Sequence, residues 1–291
     1  MAAIPAPARR EQIRQSSMPE TVTRKRVKPG HILTRIPEAL GAGVVLSLQH
    51  AAASAVLAGQ FSMALARPHR YYRALLVQMY DMGISSLPVV ILVAALSGAV
   101  TSQQSGYQFT GTVPIWVVGS VVAASVLTEL GPLVTALVLV GRIGARIGAE
   151  LGTMVVTEQV DALRAVGRDP VEQLVVPRVL AGTLMLPPLV VIADFVGIGA
   201  GWLGALLSLP ITSAEFIYGA QSYFHDFALW FGLIKAAVFG ATITFIGCYI
   251  GLRASGGAEG VGRTTTAVVV TGTVAIMFWD AVLARLLKAF G

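Results

Sequence analysis

The chain has 291 residues, of which 55% are hydrophobic and only 12% charged, and its mean hydropathy is +0.74. So few charges cannot cover the surface of a soluble globule of this length. Apolar runs near the ~20 residues that cross ~30 Å of hydrocarbon recur along it, without the alternation over about ten residues that marks a membrane barrel, so the expected fold class is an all-α integral membrane protein.

The formal net charge of +6 suggests a nucleic-acid binder until its position is read. Residues 1–35 hold eight Lys and Arg against Glu11 and Glu20, which accounts for the whole excess. A basic, Pro-containing stretch without interleaved aromatics reads as a disordered cytoplasmic tail, residues 1–36, lying near anionic lipid and not as a nucleic-acid reader. No 7–15-residue apolar core follows the early arginines, so no secretory signal is predicted. The one cysteine, Cys248, excludes an internal disulfide and reads as a small hydrophobe.

Residues 37–66 are apolar but interrupted by Glu38, Gln49, His50 and Gln60, which predicts an interfacial helix and not a span. After a basic connector at 67–73, five transmembrane helices are predicted at about 83–102, 114–140, 179–207, 227–252 and 266–287. The tail, the connector, the charged segment 141–178 and the Gly-rich loop 253–263 contain 18 of the 21 Lys and Arg, whereas the loops at 103–112 and 208–226 contain none. The positive-inside rule therefore places the tail in the cytoplasm, with Arg285 and Lys288 opposing that topology.

Gly144, Gly148 and Gly152 recur every four residues, as do Gly197 with Gly201 and Gly247 with Gly251, a spacing that serves ordinary close packing of membrane helices. Residues 158–166 read as a short cytoplasmic helix, with Thr157 as N-cap, Glu158 in the first turn, Arg164 near the end, Gly167 as left-handed cap and Pro170 as stop. Glu158, Asp161, Arg164 and Arg168 share one third of its circumference, and Val160, Leu163 and Val166 face elsewhere. Such a helix fits a solvated loop and a docking surface for a cytoplasmic protein equally well.

Four ionisable residues fall inside the spans: Glu129, Asp194, Lys235 and Asp280. Burying them is expensive, which makes them functional candidates. Glu129 stands beside Gly131 and Pro132, where a missing backbone donor can bend the helix, and a carboxylate there suits a polar headgroup. Lys235 and Asp280 lie at similar depths and predict a buried ion pair between the fourth and fifth spans, which Asp194 could join. Enzymatic signals are missing: the four histidines are scattered without metal-ligand spacing, no GxSxG or HExxH occurs, and no cofactor or metal is expected. None of the four lysines sits in a phosphate-binding loop, so any ATP hydrolysis must come from a partner. An ion-coupled secondary carrier of an amphiphile is the competing reading, although its usual repeated halves are not visible.

The run GAELGTMVVTEQVDALRAVGRDP at 148–170 resembles the signature of the MlaE/YrbE permease family. YDMGISSLP at 80–88, TELGPLVTAL at 128–137, PRVLAG at 177–182, KAAVFG at 235–240 and GCYIGLRASGGAEGVGRTTTAVV at 247–269 agree with it in one collinear order. The resemblance implies that residues 37–291 form a non-catalytic permease subunit of an ABC-type lipid transporter in the bacterial inner (cytoplasmic) membrane. It implies a homodimer with cytoplasmic ATPase subunits, a periplasmic MCE-domain protein ring and often a STAS-domain protein, moving phospholipid and maintaining outer-membrane lipid asymmetry. The short cytoplasmic helix becomes the coupling helix, with Glu158, Asp161 and Arg164 on the ATPase. The family pattern carries Arg before the intramembrane Glu, where this chain has Thr128. The lipid path is expected at the dimer interface, between the outer half of the first span and the second, with Leu96, Phe109 and Leu130 apolar beside the polar Gln103, Gln104 and Glu129.

Overall fold

A computed structural model describes residues 52–65, 71–108, 113–224 and 226–288. The chain divides into two compact units, 1–53 and 54–291, and the first falls almost wholly outside the described residues, as do the basic tail and the start of the expected interfacial helix. Within the second unit every described element is helical, and five helices are long and apolar enough to cross a membrane. They are span 1 (Tyr72–Gln108), span 2 (Val117–Val156), span 3 (Val171–Ser208), span 4 (Phe227–Gly251) and span 5 (Gly257–Leu286), preceded by a shorter apolar helix, Ala52–Ala64.

All five spans agree with the hydropathy pattern, but the helices outrun it. Span 1 continues through the polar residues 103–108, where the Ser105 hydroxyl donates to the Thr101 carbonyl one turn back. Span 2 continues to Val156, so residues 141–156 of the charged segment expected as a cytoplasmic stretch are an extension of this helix. Hydropathy reports where the hydrocarbon ends and not where the helix ends, and neither 103–108 nor 141–156 contains a proline that would stop the helix. The stretch 208–226, expected as a loop, contains a helix over Ser213–Tyr223, here called the cap helix. Thr212 and Glu215 close its N-terminus as a capping box, and the Thr212 backbone N–H and hydroxyl hold the Glu215 carboxyl below its ordinary range.

The spans pack through glycines. A Cβ on Gly98 of span 1 would lie 1.9 Å from the Gly197 carbonyl oxygen of span 3, and one on Gly240 of span 4 would lie 2.2 Å from the Gly182 carbonyl oxygen. The 144/148/152 repeat receives Val268 and Ala254, and Gly247 and Gly251 of span 4 fit against Ile147, Leu151 and Gly148, so these spacings serve helix packing. The cap helix lies on span 2 in the same way, with Gly219 against the Trp116 carbonyl and the Ser120 hydroxyl donating to the Gly219 carbonyl at 2.7 Å.

Replacing Gly98 or Gly240 by Ala is expected to cost on the order of 1–3 kcal/mol, because backbone must move on both sides. Ala at Gly141 or Gly262, where an added Cβ meets nothing within 4 Å, should leave thermal stability in detergent unchanged. Equal losses at all four positions would refute this assignment of the contacts.

Candidate functional site: a charged trio inside the membrane

Span 2 is not a uniform α-helix. Val126–Leu130 and Val140–Gly144 are π-helical turns, and Pro132 comes two residues after the first of them. The ordinary α-helical donor to the Thr128 carbonyl would be the nitrogen of residue 132, and proline carries no hydrogen there. A freed carbonyl in hydrocarbon is costly unless another group satisfies it. Lys235 of span 4 does so, its Nζ donating to Thr128 O at 3.3 Å.

The same ammonium group is fully buried and meets two carboxylates. It donates to Glu129 Oε2 at 2.7 Å and lies 2.8 Å from Asp280 Oδ1 of span 5. The Asp280 contact is an ion pair without hydrogen-bonding alignment, and the Phe231 ring, 4.8 Å from Nζ to its centroid, covers another side. The expected pair of Lys235 and Asp280 is therefore a trio that ties spans 2, 4 and 5 together. Glu129 keeps 40% of its side chain exposed, against none for Lys235 and 19% for Asp280, so it is the member of the trio that a ligand can reach.

Asp194 does not join this trio. It is buried in span 3, where its Oδ1 has no hydrogen-bond partner among the described residues and presses on Gly131, whose Cβ would lie 1.8 Å from that oxygen. The two groups meet different sides of span 2. Glu129 turns to spans 4 and 5, while Leu130 and Gly131 line a narrow cleft with Val90, Val93 and Ala94 of span 1.

The expected lipid-path residues are thus divided between two faces. Leu96, Gln103 and Gln104 lie exposed along span 1, Leu130 borders that span, and Glu129 belongs to the trio on the other side. Phe109 lies outside the described residues.

The short helix expected on the cytoplasmic side forms over Gln159–Ala165. Its C-terminus closes as expected, with Gly167 at φ +72°, its N–H on Arg164 O and the Arg168 N–H on Leu163 O. The N-terminus differs: Thr157 is not its cap, because the Thr157 hydroxyl donates back to Thr153 O and ends the preceding helix. Glu158 occupies the cap position at φ +59°, the one described non-glycine residue with positive φ. Val160 is buried and anchors the helix, Asp161 and Arg164 pair at 2.9 Å in the open, and Val166 is 73% exposed. A polar recess of about 430 Å³ lined by Arg168, Asp169 and Gln173 adjoins it.

A second charged network was not anticipated. Arg146 donates to Glu150 at 2.7 Å and to Asp81 at 3.0 Å, and buried Arg178 reaches Glu150 at 3.3 Å, joining spans 1, 2 and 3 at the end that carries the helix Gln159–Ala165. The four-residue spacing of Arg146 and Glu150 was the legible part of it.

Lys235→Met should lower stability by roughly 3–5 kcal/mol, because two carboxylates and a freed carbonyl then lose their partner. Glu129→Gln, which keeps a hydrogen-bond acceptor for Nζ, should cost far less. Thermal unfolding in detergent checks both, and equal losses would count against the ranking.

The family described as Permease MlaE matches residues 75–286. A probable ABC transporter permease protein of Rickettsia conorii is 38% identical over 220 residues, covering 76% of this chain and 85% of the relative. One of Synechocystis is 36% identical over 242 residues, covering 83% and 92%. The chloroplastic protein TRIGALACTOSYLDIACYLGLYCEROL 1 of Arabidopsis thaliana is 35% identical over 228 residues, covering 78% of this chain and 65% of that protein. The match to ABC permeases displaces the ion-coupled carrier as the reading of the chain. With five spans in place and the family match running from the first turn of span 1 to the end of span 5, the chain belongs to the Permease MlaE family and is a membrane-spanning permease subunit of the ABC transporter class.

Proposed function

We propose that this permease moves phospholipid, or a related lipid, between the inner (cytoplasmic) membrane of a bacterium and a periplasmic MCE-domain protein ring, in support of outer-membrane lipid asymmetry. It would work as a homodimer with cytoplasmic ATPase subunits, and in many assemblies a STAS-domain protein. The observation that carries the reading is Glu129, a partly exposed carboxylate held by a buried ammonium amid apolar helices. An amphiphile needs such a pairing, since its polar end requires a partner inside hydrocarbon while its chains require an apolar surface. The name of the Arabidopsis relative, which carries that of a glycerolipid, supports a lipid substrate. The exposed apolar side chains of span 1, Leu92, Leu96 and Val100, suit either a second copy or the acyl chains themselves.

Energy would enter through the helix Gln159–Ala165. Its charged residues Glu158, Asp161 and Arg164 are exposed and Val166 offers an apolar contact, a combination that suits a protein partner. The exposed Asp161–Arg164 pair contributes little to stability, so these side chains are free to serve an interface. Reversing charge at Glu158 and Asp161 together should reduce ATPase copurification at least tenfold and abolish ATP-driven transfer of fluorescent phospholipid to acceptor vesicles, with thermal stability of the permease unchanged. Unchanged copurification together with unchanged transfer would overturn the coupling role. A permease and ATPase that hydrolyse ATP yet transfer no phospholipid would overturn the lipid reading.

A further inference from the structure

We infer that Arg142 marks a binding site for the phosphate of an anionic phospholipid, in the leaflet that the positive-inside rule makes cytoplasmic. Arg142 lies in the second π-helical turn of span 2 and lines a small recess against span 1 with Gln78, Asp81, Arg146 and Glu150. It is partly buried, makes no hydrogen bond or ion pair among the described residues, and none of its guanidinium nitrogens is sealed from solvent. The two carboxylates of the recess are already engaged. Asp81 and Glu150 both accept from Arg146, and Glu150 accepts from Arg178 as well. Three arginines thus face two carboxylates, and Arg142 is the one left without a counter-charge.

The depth of the site selects the anion. Asp81 precedes the apolar run of span 1 by about two residues, Arg142 follows that of span 2 by about two, and Arg178 precedes that of span 3 by about one. Three runs therefore end at one layer, the level of the lipid headgroups. An unpaired guanidinium is costly there, and its planar fork matches two phosphate oxygens. The recess, about 20 Å³, has room for one or two such oxygens. Deeper than Arg142 the surface turns apolar: Val138 and Val134, one and two turns further into span 2, line a narrow cleft with Val93 of span 1. A lipid whose phosphate meets Arg142 therefore lays an acyl chain along that cleft. Free phosphate would gain only the first of these contacts. The site is separate from the Lys235 trio and does not depend on which molecule the permease transports.

The test uses the full-length chain purified in mild detergent and titrated with phosphatidylglycerol or phosphatidylcholine of the same acyl chains, with bound lipid counted by native mass spectrometry. Both lipids carry the phosphate, but the choline cation of the second already neutralises it. The first phosphatidylglycerol should bind about tenfold tighter than the first phosphatidylcholine, the value expected for one charge-assisted contact. Arg142→Gln should bring the two affinities together, and Arg142→Lys, which keeps the charge without the fork, should hold an intermediate preference. Arg285→Gln, at an exposed arginine near the other end of span 5, should keep the full preference. Because Arg142 has no described partner to lose, Arg142→Gln should melt with the wild type in lipid-free detergent. Phosphatidylglycerol with a photoreactive chain should label the peptide that contains Val134 and Val138. Equal affinities in the wild type, an unchanged preference in Arg142→Gln, its loss in Arg285→Gln, or label confined to other peptides would overturn the inference. Displacement of the lipid by an equal concentration of chain-free glycerophosphoglycerol would reveal a plain anion site and overturn it too. So would a lower melting temperature or a lost dimer in Arg142→Gln, which would assign the guanidinium to a protein partner.

Discussion

An ammonium group with no exposure to solvent, in a segment apolar enough to cross a membrane, is the costliest element of this structure, and the surrounding architecture follows from compensating it. Lys235 is stable there because three groups converge on it: the Glu129 and Asp280 carboxylates and the Thr128 carbonyl. Each comes from a different local device. The π-turn at Val126–Leu130 turns Glu129 toward span 4, Pro132 frees the carbonyl, and span 5 supplies Asp280. One cation facing two carboxylates leaves an acidic group in excess, and the more exposed of the two is Glu129. The groups that fix the helix arrangement thereby also present a polar contact inside the membrane.

That arrangement requires spans close enough for a lysine side chain to reach across, which the glycine contacts provide. A Cβ on Gly232, three residues before Lys235, would lie 2.5 Å from the Leu127 carbonyl, so span 4 meets span 2 backbone to backbone just beside the trio. Packing of small residues and burial of charge are thus one design, since hydrocarbon gives no hydrophobic force to hold helices together and close contact with polar pairing takes its place. Span 1 follows the same rule against span 3 through Gly98 and Gly197. Its opposite face remains apolar and exposed, as a surface toward lipid or a second copy requires.

Much of this was legible in the chain. Hydropathy gave the number and order of the spans, because a twenty-residue apolar run has few other uses, and Gly167 with Pro170 marked the end of the helix Gln159–Ala165 by backbone chemistry that belongs to those residue types. The ionisable residues were also visible as anomalies. Their partners were not all visible: Glu129 and Lys235 are 106 residues apart, and a count at 100° per residue passes over a π-turn that re-aims the face. The cap helix had a signature, Thr212 followed three residues later by Glu215, which a search by hydropathy overlooks because the segment is short and half polar. Thr157 misled for the opposite reason, as its hydroxyl bonded to the preceding turn and Glu158 took the strained left-handed position.

Whether the trio is more than structural glue can be measured by neutralising all of it at once. In the triple variant Lys235→Met, Glu129→Gln, Asp280→Asn no buried charge is left uncompensated, so thermal stability should recover most of what Lys235→Met alone loses. ATP-driven phospholipid transfer by the reconstituted permease and ATPase should nevertheless stay near background, because the charged contact proposed for the headgroup is gone. Recovery of stability together with full transfer would show that these charges only hold helices together, and would contradict the role given to Glu129.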